Sequence, residues 1–419
     1  MDDKTQATSR PIKTCQICGR PKLDNVLFLG FIPPVNTMPA VGSTPVEQTA
    51  YPLSLLRCND CTLVQIGLEV DAEVLFPYSY PYLSGSTRIL RENFAELYAE
   101  SAAMIKIGPN DLVIDIGSND GTLLSNYKAG GHKVLGVEPS QAGEVAREKG
   151  IETITAYFNL KTAQSLLTQY GSARIVTAAN VFAHIGDIDT VVKGILEILE
   201  PGGVFISESH YLLSLIETLQ YDTIYHEHLR YYSVESLQYL LNKHGLEVFH
   251  AKKIPTHGGS VRVYAARKGA YPVGESVVAI LAEEKECGLA DGSALRAFRK
   301  RVLQSKMDLM ALLKKITEEG GRVFGIGAPS RSSTLINYTG LDDGILDAVM
   351  EIKTSHKVGK YVPGTLIPVL DEALLFEQQP EYALLLSWHI ADELIENLRR
   401  KGYQGKFIVP LPKPRIVTG

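Results

Sequence analysis

The chain of 419 residues contains no apolar run approaching the roughly 20 residues that a membrane-spanning helix needs, so a helical membrane protein is not expected. A surplus of positive charge is missing as well. With 42 Lys and Arg against 47 Asp and Glu, the formal charge of −5 offers no electrostatic basis for holding nucleic acid. Only five cysteines occur, too few and too specifically placed for a disulfide scaffold. Repeats and low-complexity tracts are absent. The opening residues Met1, Asp2, Asp3 and Lys4 are polar and acidic rather than basic and then apolar, so no secretory leader is read there and a cytoplasmic protein is expected. What remains is an ordinary globular composition, 45% apolar, on a chain long enough for two or three cores.

The most informative segment runs from Asp111 to Leu124. Leu112 to Ile116 reads as a buried strand, Gly117 to Gly121 as a glycine turn, and the residues after it as a helix start. A dinucleotide fold would want a second glycine where Asn119 stands, so that backbone amides could touch a pyrophosphate. The next residue, Asp120, would repel a pyrophosphate. It suits S-adenosylmethionine, which has no phosphate and carries a sulfonium and an amine. A second strand ends in Glu138, where an acid can accept hydrogen bonds from ribose hydroxyls. Strand and helix signals then alternate in a doubly wound α/β pattern. Asn180 and His184 follow directly on the strand Arg174 to Ala179, and Phe158 is placed to cover an adenine. The expected cofactor set is Asp115, Gly117, Asn119, Asp120, Gly121, Glu138, Pro139, Phe158 and Asn180.

Upstream, Cys15 and Cys18 form one C-x-x-C knuckle, Cys58 and Cys61 another. Two residues between thiolates let both sulfurs face one ion, and two such turns complete a closed tetrahedral Zn²⁺ site, structural rather than catalytic. Few basic residues surround it, unlike a nucleic-acid ribbon. Cys287 falls in a helical stretch and is expected to be packed there. Between the zinc module and the donor unit, Tyr78, Tyr80 and Tyr82 alternate along an aromatic tract that can pack or line a pocket.

The densest chemistry lies between Gln220 and Tyr232. Tyr225 and His228 are spaced like neighbours on one helical face, and Glu227 adjoins them. An imidazole near neutrality with a carboxylate beside it reads as acid–base machinery. A metal at His226 and His228 would lack further ligands nearby.

Taken in order, the twin knuckles, the Asp115 to Gly121 turn, Ala179 to His184, Ile224 to His228 and Pro255 to Ser260 resemble the nucleotide-sugar C-methyltransferases that make branched deoxysugars. The resemblance spans nearly the whole chain. It implies methyl transfer from S-adenosylmethionine to C3 of a dTDP-4-keto-deoxysugar. It also implies His228 as the base, Tyr225, Glu227 and His184 beside it, and a pocket tyrosine that is either Tyr80 or Tyr82.

From Arg322 a second α/β unit begins. Gly325 and Gly327 permit close backbone approach, and Ser330, Arg331 and Ser332 stand at a helix start. With the cationic loop beginning at Lys353, and with His257, they form the expected substrate-binding set for the nucleotide diphosphate. The expected architecture is therefore a class I methyltransferase Rossmann-like domain (75–254) flanked by a zinc module (1–74) and a second Rossmann-like α/β domain (255–419), in a monomer or weak oligomer. Rival readings are C-methylation at another carbon, such as C5, or of another carbonyl compound; a zinc-ribbon RNA-binding or RNA-modifying protein; and a donor-binding scaffold without turnover.

Overall fold

The computed structural model describes residues 8–43, 48–76 and 83–418, so Tyr78, Tyr80 and Tyr82 lie outside the described residues. At the centre is a seven-stranded sheet in the order Leu246–Ile254, Ser260–Arg267, Leu199–His210, Ala173–Ala179, Leu112–Ile116, Lys133–Val137, Thr153–Ile154. All five residues of Leu112–Ile116 are buried, as a parallel strand covered on both faces must be. Its neighbours Lys133–Val137 and Ala173–Ala179 run parallel to it, and Ser260–Arg267 enters antiparallel beside Leu199–His210.

The domain boundary expected between residues 254 and 255 falls inside this sheet. Leu246–Ile254 and Ser260–Arg267 are hairpin partners from Leu246↔Arg267 to Ile254↔Ser260. The reversal is made at 256–259, where His257, Gly258 and Gly259 all have positive φ (56°, 85° and 119°). The central fold thus continues to Arg267, and two helices, Glu275–Glu286 and Ser293–Glu318, carry the chain onward. Cys287 is not packed: it is exposed at the C-terminal cap of the first of these helices.

The helix Arg88–Met104 is tied to the sheet through charge. Arg262, fully buried, pairs with Glu208 at 2.6 Å and also with Glu100 of the helix, while Asn93 Nδ2 donates to Glu208 at 2.8 Å. Each buried ion therefore has a partner and hydrogen bonds, the condition under which burial of charge is tolerated.

The C-terminal sheet has the order Lys360–Tyr361, Pro368–Asp371, Ala348–Glu351, Val323–Ile326, Tyr382–Leu385, Lys406–Val409, Arg415–Val417. Its five inner strands are parallel and the two edges antiparallel. The order reverses between Val323–Ile326 and Tyr382–Leu385, the crevice where ligands of such sheets bind.

The N-terminal module holds the other two together. Its four-stranded sheet runs Arg230–Tyr231, Val64–Ile66, Tyr51–Cys58, Leu23–Ile32, so one strand is donated by the middle of the chain. On the other side its proline-rich loop bridges to the C-terminal domain: Tyr361 N donates to Pro39 O at 2.8 Å and Val41 N to Gly359 O at 2.8 Å. Among the described residues no helix is long and apolar enough to cross a membrane.

Candidate active site

One cavity of about 1160 Å³ lies where the three parts meet. That exceeds the ~300–1,000 Å³ typical of a pocket for one drug-sized molecule, and so suits two ligands side by side.

Its first wall is the carboxyl rim of the central sheet. Gly117, Asn119, Glu138, Pro139, Phe158 and Asn180 all line it. Gly117 has φ 68°, and a Cβ there would come within 2.6 Å of Val181, so only glycine fits the turn. Glu138 accepts from the backbone of Asn119 at 3.0 Å and of Ser140 at 2.9 Å, which fixes its carboxylate at the strand end. Asn180 is held at φ 59°, and its Oδ1 is buried without a partner. An unsatisfied buried acceptor costs free energy until something donates to it. It fits the ammonium of S-adenosylmethionine, since the lining's two guanidinium groups, Arg230 and Arg331, are each taken up by protein acceptors. Phe158 is buried and Tyr157 largely exposed, at the place expected for an adenine.

Three members of the expected cofactor set are used otherwise. The Asp120 carboxylate turns away from the cavity to the Thr122 hydroxyl (2.7 Å), the Gly85 amide (3.1 Å) and Lys149 (3.0 Å). Its charge serves the start of helix Thr122–Ala129 rather than a sulfonium. Gly121 is the left-handed N-cap of that helix and faces Ile151 and Ala146. Asp115 lies beneath the rim, bonded to Thr177 at 2.6 Å; burial pushes its carboxyl up to about 7.

The second wall is the turn 225–228. It is not a helix: a short 3-10 turn, Tyr221–Thr223, is followed by irregular chain, and His228 N bonds back to Tyr225 O at 3.0 Å. This brings the Tyr225 and His228 rings together, centroids 4.2 Å apart, by a different route from the helical face expected. His228 Nδ1 lies 2.8 Å from Thr223 O, and His184 Nδ1 lies 2.6 Å from Glu227 O. A carbonyl can only accept, so Nδ1 carries the proton in both rings and Nε2 keeps its lone pair. Burial, then neighbouring His184, pushes His228 down to about 3, and burial lowers His184 too, so both rings are neutral. The Glu227 carboxylate lines the cavity and accepts from Asn36 of the zinc module at 2.7 Å. His226 points the other way, packed on Tyr51, outside the lining.

The third wall is the C-terminal crevice. His257, Ser330 and Arg331 line the cavity, whereas Lys353 is exposed and outside it, and Ser332 Oγ turns back to Pro329 O at 2.6 Å. Arg331 is not a free anion clamp. Its Nε and Nη2 each sit 2.8 Å from the carboxylate of Asp222, which also accepts from Trp388 Nε1 at 2.7 Å. The guanidinium is neutralised by a fully buried acid that no sequence pattern pairs with it.

Two lining histidines escaped the sequence reading, His210 and His389. His210 ends the strand Leu199–His210, whose sequence signal reads as a strand only from Gly203 to Glu208, and His389 follows the strand Tyr382–Leu385. Extending the strand-end rule would have found both.

The four cysteines of the knuckles come together as expected. Their sulfurs lie within 4.8 Å of one another, the one group of three or more potential ligands so placed among the described residues. Cys15 and Cys61 sulfurs are 3.3 Å apart and Cys18 and Cys58 3.5 Å. A tetrahedron with Zn–S bonds of ~2.3 Å has edges of ~3.8 Å, so the site needs only slight expansion. Backbone amides of Ile17 and Asp60 point at Cys15 and Cys58 sulfurs (3.4 Å each), the donors a thiolate knuckle wants.

A strand-end acid, a glycine rim and an apolar slot without lysine define a class I S-adenosylmethionine-dependent methyltransferase, and comparison with known proteins agrees. Residues 87–251 match a methyltransferase domain family, residues 15–76 a zinc binding domain family, and residues 255–412 the C-methyltransferase C-terminal domain family. The chain is 33% identical over 413 residues to C-methyltransferase NovU of Streptomyces niveus, covering 98% of each protein. It therefore belongs to the C-methyltransferases with an N-terminal zinc domain, and its cofactors are S-adenosylmethionine and structural zinc. Among solved structures it is similar to magnesium protoporphyrin IX methyltransferase of Synechocystis PCC 6803 with bound S-adenosylmethionine (TM-score 0.33, 16% identity, 42% of this chain and 79% of that one). It is similar also to the PH0226 protein of Pyrococcus horikoshii OT3 (TM-score 0.36, 17% identity, 47% and 98%).

Proposed function

We propose that the enzyme methylates C3 of a dTDP-linked 4-keto-deoxysugar, with His228 as the base that removes the C3 proton. The observation that carries this reading is the orientation of His228. Its Nδ1 is committed to Thr223, and its ring lines a cavity shared by the donor rim and the C-terminal crevice. A carbon beside a ketone becomes nucleophilic only after losing a proton, and a positioned base contributes roughly 10²–10⁴-fold. His228, neutral because it is buried, has that vacancy; an approaching diphosphate and a forming enolate raise its proton affinity. Tyr225 packs against the ring, its plane tilted by 35°, while Glu227 holds the turn through Asn36 and, by its carbonyl, orients His184. When bound, S-adenosylmethionine supplies an electrophilic methyl group on a neutral leaving group, so no acid is required. The nucleotide end is assigned to the C-terminal crevice, on the side of the cavity lined by Ser330 and His257. Tyr80 or Tyr82 is the further tyrosine proposed for the site.

The test uses dTDP-4-keto-6-deoxysugars in D₂O, with and without a 3-amino group. Wild-type enzyme is expected to exchange the C3 hydrogen and to add one methyl there. His228→Asn keeps a donor for Thr223 O but has no basic nitrogen. It should lose ~10²–10⁴-fold in both reactions while binding the methyl donor normally. Near-normal exchange in that variant would remove His228 from the base role, and methylation at C5 would move the acceptor carbon.

A further inference from the structure

A ketone deprotonated by His228 becomes an enolate whose oxygen needs a donor, and the obvious candidates in the cavity are already engaged. His184 and His228 have both given their N–H to backbone carbonyls. Arg331 is held by Asp222. His257, whose Nε2 is buried without a partner, stands at the side of the cavity assigned above to the nucleotide end.

His210 differs from all of these. It closes the strand Leu199–His210 at the carboxyl rim, where its backbone is fixed by pairing with Ser260. Its ring lines the cavity, 5.0 Å from the His228 ring and 5.3 Å from the His257 ring between centroids. Among the described residues no hydrogen bond engages either ring nitrogen. Burial, then the neighbouring His228, His257 and Arg331, pushes it well below the ordinary histidine range, so the ring is neutral. A neutral imidazole always carries one N–H. Among the described residues that N–H has no protein acceptor, which leaves it to what occupies the cavity.

The spacing suits one substrate. In a ketone the oxygen lies about 2.4 Å from the α-carbon, given C=O and C–C lengths of ~1.23 and ~1.52 Å. A base on the α-hydrogen and a donor on the oxygen must then sit within roughly 8 Å of each other. His228 and His210 meet that limit.

We infer that His210 is a second catalytic residue, the neutral electrophile that donates its N–H to the carbonyl oxygen of the substrate as His228 takes the proton from the adjacent carbon. The C–H electron pair becomes the C=C bond, and the C=O π pair moves onto the oxygen facing His210. The new C–C bond then draws that pair back as the S–CH₃ bond breaks, and the proton remains on His228 until it leaves to water. A neutral donor is well matched to this role, because it lowers the energy of the enolate without surrendering its own proton and quenching it.

This inference rests on the reading that a ketone is deprotonated, so the wild type is measured first. If it exchanges no α-hydrogen in any keto-sugar of the panel, both readings fall together. If it does, His210→Phe separates them. The variant should lose ~10²–10³-fold in kcat for methylation and equally in α-deuterium exchange, with KM for both substrates within about threefold. His210→Gln, which restores an N–H donor, should recover at least tenfold over His210→Phe. Exchange by His210→Phe within threefold of wild type, a loss confined to KM, or a glutamine no better than phenylalanine would each overturn the role. Should His210→Phe fail to bind the methyl donor in calorimetry, His210→Ala carries the test. Restoration of exchange by added imidazole supports the donor role, and no response to imidazole refutes it.

Discussion

Asp222→Asn isolates the contact that joins the middle and C-terminal domains at the site. Asp222 is 0% exposed and Arg331 6%, so water cannot replace what the substitution removes. The carboxamide keeps the volume and one acceptor oxygen. It also turns an N–H₂ toward donors that had two carboxylate oxygens: Arg331 Nε and Nη2 at 2.8 Å and Trp388 Nε1 at 2.7 Å. The guanidinium does not deprotonate in a protein, so its charge would stay buried and unpaired. Breaking such a pair from one side costs about 3–5 kcal/mol, and the donor–donor contact places this case toward the upper end. Removing the charge as well, in Asp222→Asn with Arg331→Met, should cost less than Asp222→Asn alone, a coupling that a double-mutant cycle reads directly. The chain supplies its own probe: Trp388 is its single tryptophan, packed beneath Arg331 at 4.8 Å. Urea titrations followed by its emission report opening of this interface, and far-UV dichroism reports the rest. An Asp222→Asn midpoint equal to wild type, or a double variant as costly as the two singles added, would refute the account of Arg331 as a neutralised structural cation.

Acid should loosen the protein well above the range where carboxylates titrate. Burial pushes His228 and His389 down to about 3 and His226 and His257 to about 4. Above pH ~6.5 both folded and unfolded chains hold them neutral. As pH falls below that, only the unfolded chain takes the protons, so stability is lost from pH ~6.5 down to about 4, on the order of 2 kcal/mol per histidine at pH 5. Asp115, raised to about 7, works in the opposite sense by a comparable amount for one group and does not offset four. Melting temperatures that stay flat between pH 7.5 and 5 would contradict this. Zinc removal, by chelation or Cys58→Ser, should cost hydrogen-exchange protection in residues 225–231 as well as in 15–76, because Arg230–Tyr231 is a strand of the zinc module's sheet. Unchanged protection of 225–231 would show that the turn stands alone.

Local chemistry was legible where one segment contains its own reason. Gly117, Glu138 and the twin knuckles are each a short pattern with one physical solution; Gly117 and Glu138 stand on the cavity rim and the four cysteines come together. What the sequence concealed depends on partners far along the chain. Asp120 looked like a sulfonium partner because Lys149, 29 residues on, is invisible to a motif. Arg331 looked like a phosphate ligand because Asp222, 109 residues earlier, carries no mark of its contact. Tyr225 and His228 were rightly associated through the wrong geometry, since a tight turn and a helix both bring positions three apart together. His210 was lost to a strand end misplaced by two residues, the commonest kind of boundary error and here a consequential one.

The strand Arg230–Tyr231 has a bearing on how such enzymes can be recombined. Leu229 donates to Ala183 while Ile66 donates to Leu229, and Arg230 reaches the carbonyls of Ile185 and Gly186. The residues flanking His228 thus belong at once to the donor fold and to the zinc sheet. A chimera joined at the apparent domain edges would pair a turn from one parent with a sheet edge from another, and its fault would fall beside His228. Crossovers that exchange residues 15–76 and 220–232 as one block keep the seam within a single parentage, so the unit to be moved between such chains is a discontinuous one.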